Sequence, residues 1–352
     1  MVMAEDRSVL EGQTWVWQTM LAFADSMVLR CAVELGIADI IHQHGEPLSL
    51  PHLASLIPSP PPNPTSFLRI MRFLTHKKIF STHSHPDTGE TLYGLTPASR
   101  VLVRSSDFSL VPMVLFETHP FPIAAWHSFS ASVRQGGAPY IMAHGMDMLF
   151  GTAATNPEFN AVFNNAMACT AKGTLDAVIS AYGDGFAGLG SLADVGGGTG
   201  ATLGEIVKLH PGIKGINFDL PHVIEGAPEY PGVTHVAGDM FQTIPPADAV
   251  FMKTVMHCFG DEECEKVLRN CRGVIPEKTG KVIIVDVVLY PDDNSPLGDI
   301  RAKFDMLMFA YTSTGKERTE EEWKKLLKAS GFPRWNIIRI PAIWSIIEAF
   351  PE

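Results

Sequence analysis

Apolar residues recur every three or four positions through the first eighty residues, as Phe67, Ile70, Met71 and Leu74 do. This spacing is typical of helices with one buried face. The prolines of Ser-Pro-Pro-Pro-Asn-Pro cannot lie inside a helix, because proline lacks the backbone donor. The predicted elements are helices over residues 14–42 (interrupted at Gly36), 48–57 and 65–80, then a turn over 82–90 and a strand over 92–95.

Several helices followed by a hairpin are the outline of a winged helix, which often binds DNA. The last of these helices offers only Arg69, Arg72, Lys77 and Lys78, and the chain carries a net charge of −11. Binding of nucleic acid needs a basic surface. We therefore expect no nucleic-acid partner, and we interpret the apolar excess on the first helices as a dimer seam or a lid.

Residues 111–137 are rich in aromatic residues and proline, and Gly-Gly-Ala-Pro closes this stretch. We predict the domain junction there, with a helical, winged-helix-like domain over residues 1–130 and a second domain over 131–352. A pair of helices predicted over residues 156–182 leads into the second half of the chain.

From residue 191 short apolar runs alternate with helical spacing, a pattern typical of an α/β domain with a mostly parallel sheet. The chain closes with two apolar runs over residues 335–350, joined through a proline, which predict an antiparallel pair. The predicted strands are 192–195, 215–218, 234–237, 249–253 and 281–288, and the predicted helices are 201–209, 222–227, 262–271 and 319–329.

The stretch Leu192–Gly200, which reads LADVGGGTG, predicts a strand, a glycine turn and the start of a helix. Such a turn lets a ligand approach bare backbone N–H groups at a helix N-terminus. The spacing Gly196-x-Gly198-x-x-Ala201 also fits the dinucleotide fingerprint in its G/A form. The turn alone therefore leaves a nicotinamide and an adenosyl cofactor open.

Polar residues follow the ends of the next three predicted strands, where open α/β sheets bind ligands. Asp219 comes 19 residues after Gly200, the place of an acid that binds ribose hydroxyls. Asp239 could take an exocyclic amine, with Met240 as an apolar face for a purine; alternatively Asp239 is a turn or capping acid. Lys253 ends the fourth strand, and His257 lies four residues further on.

Two further acids admit both a functional and a structural interpretation. Asp286 lies within the apolar strand VIIVDVVL, where an acid is seldom buried without a partner. Glu317 stands in the run Gly-Lys-Glu-Arg-Thr, where it could equally form a loop salt bridge.

The composition limits the cellular setting. The acidic, polar start is unlike a signal or transit peptide, and no apolar run reaches the roughly 18 residues that span a membrane. Five cysteines without a Cys-x-x-Cys pair indicate reduced thiols and a cytoplasmic protein. Cys264 and Cys271 fall at helical spacing with apolar residues and are predicted to pack in the core. We find no residue cluster that demands a metal.

The motifs DVGGGTG, INFDLPHVIEGAPEYPGVTHVAGDMF, ADAVFMK, GKVIIVD and GKERTEEEWKKLL, in this order, resemble the plant S-adenosylmethionine-dependent O-methyltransferases. This family includes the caffeic acid, isoflavone and norcoclaurine enzymes. The resemblance implies a Rossmann-like class I methyltransferase domain behind the N-terminal domain, and an intertwined homodimer that methylates a phenolic small molecule, with a benzylisoquinoline alkaloid favoured over an isoflavonoid or phenylpropanoid.

Carried over position by position, the resemblance implies the following roles. Cofactor contacts are expected from Gly196, Asp219, Asp239, Met240 and Lys253. His257 is the expected general base, flanked by Asp286 and Glu317. The expected lining of the aromatic substrate site is Asn164, Met167, Met306 and Phe309.

One segment departs from the family pattern. The family commonly has His-Asp-Trp where this chain has His257-Cys258-Phe259, and Thr254 stands where a tryptophan is common. Because the histidine is retained, we predict an active enzyme. The departure motivates a second hypothesis, a weakly active subunit that forms a heterodimer with a related chain. A nicotinamide oxidoreductase is the third.

Overall fold

The structure, a computed structural model, describes residues 2–352, without the side chains of residues 2–6, 149, 150, 171 and 172. The chain divides into two compact units. The first runs to Ile123 and includes Asn156–Thr170; the second comprises Ala124–Thr155 and Ala171–Glu352. The boundary expected between residues 130 and 131 stays a prediction.

The first unit is mainly helical and carries a small antiparallel sheet, in the strand order β1-β3-β2. Phe80 pairs with Leu95 and Leu48 with Tyr93 across this sheet, and all but Leu95 are buried. Its elements up to the second unit are α1 (Val2–Glu34), α2 (Ile37–His44), β1 (Leu48–Ser49), α3 (Leu50–Leu56), α4 (Pro64–His76), β2 (Phe80–Ser84), β3 (Thr91–Leu95), α5 (Pro97–Arg100), α6 (Val111–Glu117) and α7 (Pro120–Trp126), which crosses the boundary.

The helices and hairpin predicted for this part are confirmed, except that α4 ends at His76 and residues 80–84, predicted as the end of a helix and the start of a turn, form strand β2. Gly36, with φ +65°, separates α1 from α2, as the sequence suggested, because glycine enters the left-handed region without steric cost. Helix α4 begins where the Asn63 side chain accepts a hydrogen bond from the Ser66 N–H at 3.0 Å. The segment 48–57 differs in its first two residues, which form β1 before α3 begins.

The stretch taken as a junction holds more helix than predicted. It contains α6, α7 and α8 (Phe129–Gln135), and it is followed by α9 (Pro139–His144) and a π-helical turn (Met148–Ala153). The predicted helix pair over 156–182 is confirmed as α10 (Pro157–Cys169) and α11 (Ala171–Tyr182).

The second unit is built on an α/β sheet with the strand order β10-β11-β8-β7-β4-β5-β6, and β9 pairs with β8. The elements after α11 are a 3₁₀ turn (Gly183–Phe186), β4 (Ser191–Val195), α12 (Ala201–Leu209), β5 (Lys214–Asp219), α13 (Pro221–Ile224), β6 (Val233–Ala237), β7 (Ala249–Lys253), a 3₁₀ turn (Met256–Cys258), α14 (Asp261–Val274), β8 (Lys281–Leu289), α15 (Pro296–Tyr311), β9 (Arg318–Thr319), α16 (Glu320–Ala329), β10 (Arg334–Arg339) and β11 (Trp344–Phe350).

The strand order reverses at β4, which pairs in parallel with β5 on one side and with β7 on the other. Such a switch point opens a crevice beyond the carboxyl ends of the strands, and open α/β sheets bind ligands there. All five parallel strands agree with their predicted ranges to within one residue, and the closing pair β10 and β11 is antiparallel as predicted.

Both faces of the sheet are covered by buried apolar side chains. One face packs against α14 and α16, where Cys264 and Cys271 are fully buried, which confirms their predicted packing role. The other face packs against α11 and α12 through Leu175, Leu203 and Ile206.

Helix α15 was not predicted. Its large apolar residues are spread around the helix and do not form the single stripe that marks an amphipathic helix; they include Leu297, Ile300, Phe304, Met306, Leu307, Met308 and Phe309. Within residues 2–352, none of the helices combines the length and apolar character needed to cross a membrane.

Candidate active site

The glycine turn that follows β4 has a backbone that most other residues could not adopt. Gly196, Gly198 and Gly200 have φ values of +73°, +60° and +84°, all in the left-handed region. The Gly196 N–H donates to the Phe218 carbonyl at 2.9 Å and thereby ties the start of the turn to β5. The turn therefore lies over the switch point and leads directly into α12.

The glycines of this turn face different surroundings. A Cβ at Gly196 would lie 2.7 Å from Val255 Cγ2, and one at Gly197 would lie 2.1 Å from Asn217 Oδ1. A Cβ at Gly198 would have no heavy atom within 4 Å. Neighbouring protein atoms thus leave no room for a side chain at Gly196 and Gly197, whereas Gly198 has open space at its α-carbon.

Asp219 ends β5 beside this turn. Its Oδ2 accepts a hydrogen bond from the Gly198 N–H at 2.8 Å, and its Oδ1 accepts from the Leu220 N–H at 2.7 Å. A carboxylate oxygen has more than one lone pair. The side chain is therefore fixed in place and can still accept hydrogen bonds from a ligand.

Asp239 and Met240 follow β6. Asp239 accepts from the Phe241 N–H at 2.9 Å and from Gln242 Nε2 at 3.0 Å, so the turn-forming role considered for this acid is present. Met240 is half-buried and packs against the core beside α14. A capped turn at this strand end holds both side chains at the ligand-binding edge of the sheet.

A buried carboxylate, Asp194, and a half-buried ammonium, Lys253, lie near the switch point. Burial raises the pKa of Asp194 to about 7, Lys253 lowers it and Asp219 raises it. Burial lowers the pKa of Lys253, and Asp194 and Asp286 oppose this effect. Lys253 thus interacts electrostatically with acids of both neighbouring strands, β4 and β8.

Thr254, directly after β7, is one of two non-glycine residues among residues 2–352 with a positive φ, +55°. A β-branched residue in this region is strained, and such strain clusters at functional sites. The Thr254 N–H donates to the Val285 carbonyl at 2.9 Å, which holds the bend. The bend turns the chain out of the sheet immediately before His257.

His257 lies in a 3₁₀ turn and is buried, with 8% of its surface exposed. Its Nδ1 lies 2.8 Å from Oε1 of Glu317, which is 2% exposed. Because an ionised carboxylate can only accept, Nδ1 carries the proton and Nε2 is the nitrogen with a free lone pair in the neutral ring. The structure therefore leaves Nε2 for proton transfer.

Asp286 completes this group from β8. It is fully buried, and neither carboxylate oxygen has a hydrogen-bond partner of normal geometry among the described residues. Burial raises the pKa of Asp286 to about 7, His257 lowers it and Glu317 raises it. Burial also lowers the pKa of His257, but Cys258, Glu317 and Asp286 outweigh this and raise it well above 6.5. Each of the two shifts favours the protonated form of its group.

Arg318, which no sequence motif singles out, has a side chain that is completely buried beside Glu317. Its guanidinium donates to the carbonyls of Met256 at 3.2 Å and Phe259 at 2.9 Å, and to Asp261 Oδ1 at 2.9 Å. Glu317 therefore holds the His257 ring while Arg318 holds the backbone on either side of it. Only the adjacency of Arg318 to Glu317 could have suggested this role.

Gly315 brings the same segment into close contact with the histidine turn. A Cβ at Gly315 would lie 2.5 Å from the His257 carbonyl oxygen. The Glu317 N–H in turn donates to Asp305 Oδ1 of α15 at 3.0 Å. The loop between α15 and β9 thus contacts the histidine turn at Gly315 and is bonded to α15 at Glu317.

The residues expected to line a substrate site fall in both units. Met306, 40% exposed, and the half-buried Phe309 lie on α15, and the Phe309 ring packs against Phe129 at 5.0 Å. Asn164 and Met167 lie on α10 in the first unit, where both are exposed. Their role in substrate binding stays a prediction.

Among the side chains that the structure describes, those of His, Cys, Asp and Glu form no group of three or more that could hold a metal ion. The chemistry available at this edge of the sheet is that of a buried imidazole with two carboxylates, next to an open backbone turn.

Two family models match the chain. An O-methyltransferase domain matches residues 126–333, and an O-methyltransferase dimerisation domain matches residues 17–105.

Relatives match over nearly the full chain. The (R,S)-reticuline 7-O-methyltransferase of Papaver somniferum is 48% identical and is covered over 99% of both chains. The desmethylxanthohumol 6'-O-methyltransferase of Humulus lupulus is 50% identical, over 97% of this chain and 99% of the relative. The fold matches the crystal structure of human N-acetylserotonin methyltransferase in complex with SAM with a TM-score of 0.82, at 22% identity over 96% and 97% of the two chains.

We predict that Arg318→Gln lowers the free energy of unfolding of the second unit by about 2–4 kcal/mol, because buried carbonyl acceptors lose their donors. Thermal unfolding followed by circular dichroism measures the effect. Lys324→Gln, which removes an exposed ion pair with Glu321, is the control and should leave the midpoint unchanged. Equal midpoints for the two variants would contradict the role given to Arg318.

Proposed function

The chain belongs to the plant O-methyltransferase family, and on this premise we propose that it methylates a phenolic hydroxyl of a specialised metabolite with His257 as general base. A benzylisoquinoline alkaloid is the favoured acceptor, ahead of an isoflavonoid or phenylpropanoid. The observation that carries the proposal is the 2.8 Å contact between His257 Nδ1 and Glu317, in a buried group one strand away from the glycine turn.

S-adenosylmethionine is the methyl donor, and its sulfonium supplies an electrophilic methyl group to an attacking oxygen. The residues of the turn fit this cofactor. Gly198 leaves open space at its α-carbon, and Asp219 keeps free lone pairs for ribose hydroxyls. Asp239 and Met240 would hold the adenine, Gly196 would support the methionine end, and Lys253 would complete the site.

His257 would accept the phenolic proton at Nε2. A phenol has a pKa of about 10 and free imidazole one of about 6.5, so full transfer would be uphill by about 5 kcal/mol. Asp286 and Glu317 reduce this difference because they favour the imidazolium. The same effect keeps more of His257 protonated at rest, which ties the rate to pH.

Glu317 would position the ring, and Asp286 would stabilise the charge that develops on it. The Cys258-Phe259 departure leaves the His257–Glu317 contact in place. This geometry supports an active enzyme over the weakly active subunit of a heterodimer. Membership of the family sets the nicotinamide oxidoreductase aside.

We also propose a homodimer in the cytoplasm. The dimerisation model covers residues 17–105, and helix α1 exposes large apolar side chains, among them Trp15, Val16 and Trp17. All five cysteines are free, which suits a reducing compartment.

The acceptor is tested with purified protein, S-adenosylmethionine and a panel of alkaloids, isoflavonoids, coumarins and phenylpropanoids, read by the mass gain of one methyl group. Reticuline and desmethylxanthohumol belong in the panel, because the relatives named for them are almost equally identical to this chain. We expect the highest kcat/KM with a benzylisoquinoline phenol. A higher value for another class would overturn the substrate assignment, and no methylation of any phenol would overturn the proposed activity.

We predict that His257→Ala lowers kcat by about 10²-fold or more, because a general base typically contributes 10²–10⁴-fold. Its affinity for S-adenosylhomocysteine, measured by calorimetry, should stay close to that of the wild type. Asp219→Ala is the matched variant and should show the opposite pattern, a weaker affinity for the same ligand. Full turnover by His257→Ala would refute the base assignment, and unchanged affinity of Asp219→Ala would refute the ribose role.

The rate should also depend on pH through His257. Only the neutral ring can accept a proton, so kcat/KM should rise with pH and level off above the pKa of His257. Glu317 raises that pKa, so Glu317→Gln should move the rising limb to lower pH and reduce the plateau. Glu321→Gln, on the exposed side of α16, is the control with an unchanged profile. A limb that stays in place in Glu317→Gln would argue against this coupling.

A further inference from the structure

A row of polar side chains crosses three parallel strands beneath the glycine turn. Asp194 of β4, Asn217 of β5 and His235 of β6 are direct neighbours in the strand register. Asn217 is fully buried, and its Nδ2 donates to the Gly198 carbonyl at 2.9 Å. The same Nδ2 lies 3.0 Å from His235 Nδ1. The two amide protons thus have one acceptor each.

The hydrogen bonds of His235 fix the direction of this network. His235 Nε2 lies 2.8 Å from the Pro228 carbonyl, which can only accept, so Nε2 carries the ring proton. The neutral ring then presents Nδ1 as an acceptor to the Asn217 amide. Turning the amide over would place its oxygen against two acceptors, so the observed orientation is the one the network allows.

This orientation leaves Asn217 Oδ1 facing Gly197. The oxygen is buried without a hydrogen-bond partner among the described residues, and a Cβ at Gly197 would lie 2.1 Å from it. A buried acceptor without a partner costs free energy. The Asn217 amide is therefore paired through its donor nitrogen alone.

Two side chains of β5 form hydrogen bonds with the backbone of Gly198, one with its carbonyl and one with its N–H. Asn217 donates to the Gly198 carbonyl, and Asp219 accepts from the Gly198 N–H at 2.8 Å. Gly198 is also the glycine of the turn with open space at its α-carbon. The conformation of the exposed backbone is therefore set by two side chains two residues apart on one strand.

We propose that Asn217 and His235 are positioning residues that hold the glycine turn ready for the S-adenosyl cofactor without touching it. The inference rests on the proposed function, since it assigns that cofactor to the turn. A turn already held in its bound shape loses less conformational freedom when the ligand binds. Loss of the network should therefore weaken cofactor binding.

Calorimetric titration of the full-length protein with S-adenosylhomocysteine tests the proposal. Asn217→Asp keeps the shape of the side chain but sets an oxygen against the Gly198 carbonyl, and its Kd should rise about tenfold or more. His235→Leu removes the acceptor and should raise Kd about fivefold. His235→Asn restores an acceptor near the position of Nδ1, and its Kd should return to within about threefold of the wild type.

If the two residues only stabilised the fold, folded variants would keep the KM for S-adenosylmethionine of the wild type. We expect the KM for S-adenosylmethionine to rise in Asn217→Asp and His235→Leu, while the KM for the phenol stays unchanged. His222→Leu, at an exposed position of α13, is the matched control and should bind like the wild type. Thermal midpoints without ligand show whether each variant is folded.

The outcomes separate the two proposals. Folded His235→Leu that binds S-adenosylhomocysteine as tightly as the wild type would overturn the positioning role, even if Asn217→Asp fails to fold. A failure of His235→Asn to recover affinity would also count against it. If the wild type itself does not bind S-adenosylhomocysteine, the cofactor assignment fails.

Discussion

The reversal of strand order at β4 is the constraint on which the rest of the second unit depends. At this point the chain must leave the sheet between two parallel neighbours and enter α12 at once. Left-handed glycines permit the turn, but they do not hold it, because glycine is also the most flexible residue when unfolded. The hydrogen bonds from β5 to Gly196 and Gly198 supply what the glycines lack.

His257 is likewise placed by an unusual local backbone and held by contacts from a distant part of the chain. The strained bend at Thr254 brings His257 out of the sheet, and a segment sixty residues later fixes both its ring and its backbone. Two carboxylates near one imidazole raise its pKa, so the site combines a stronger base with a larger protonated fraction. The pH at which the enzyme works best is a balance of these two effects.

The sequence predicted the strands of the sheet well for a physical reason. Buried parallel strands are short apolar runs bounded by turn residues, and this pattern depends on local chemistry alone. The order of strand ends then placed Asp219, Asp239, Lys253 and His257 on one edge. Helix α15 escaped prediction because its apolar residues do not form one stripe.

The network residues were harder to find. Arg318 lies in a charged run that resembles a solvated helix start, yet its side chain is fully buried. Asn217 is a single polar residue in an apolar strand, and its role depends on a carbonyl 19 residues away and on a histidine of the next strand. Such partners are brought together by the fold, and spacing along the chain does not reveal them.

Glu317 stands directly before the short strand β9, which Arg318 begins, and Gly315 two residues earlier leaves no room for a side chain against the histidine turn. Residues 256–259 and 315–318 therefore fit against each other, and a substitution in one segment requires a matching substitution in the other. For the construction of chimaeric enzymes, this means that a crossover between the two segments separates matched halves. Exchange of both segments from the same parent would preserve the geometry of the histidine, whatever acceptor the remaining pocket selects.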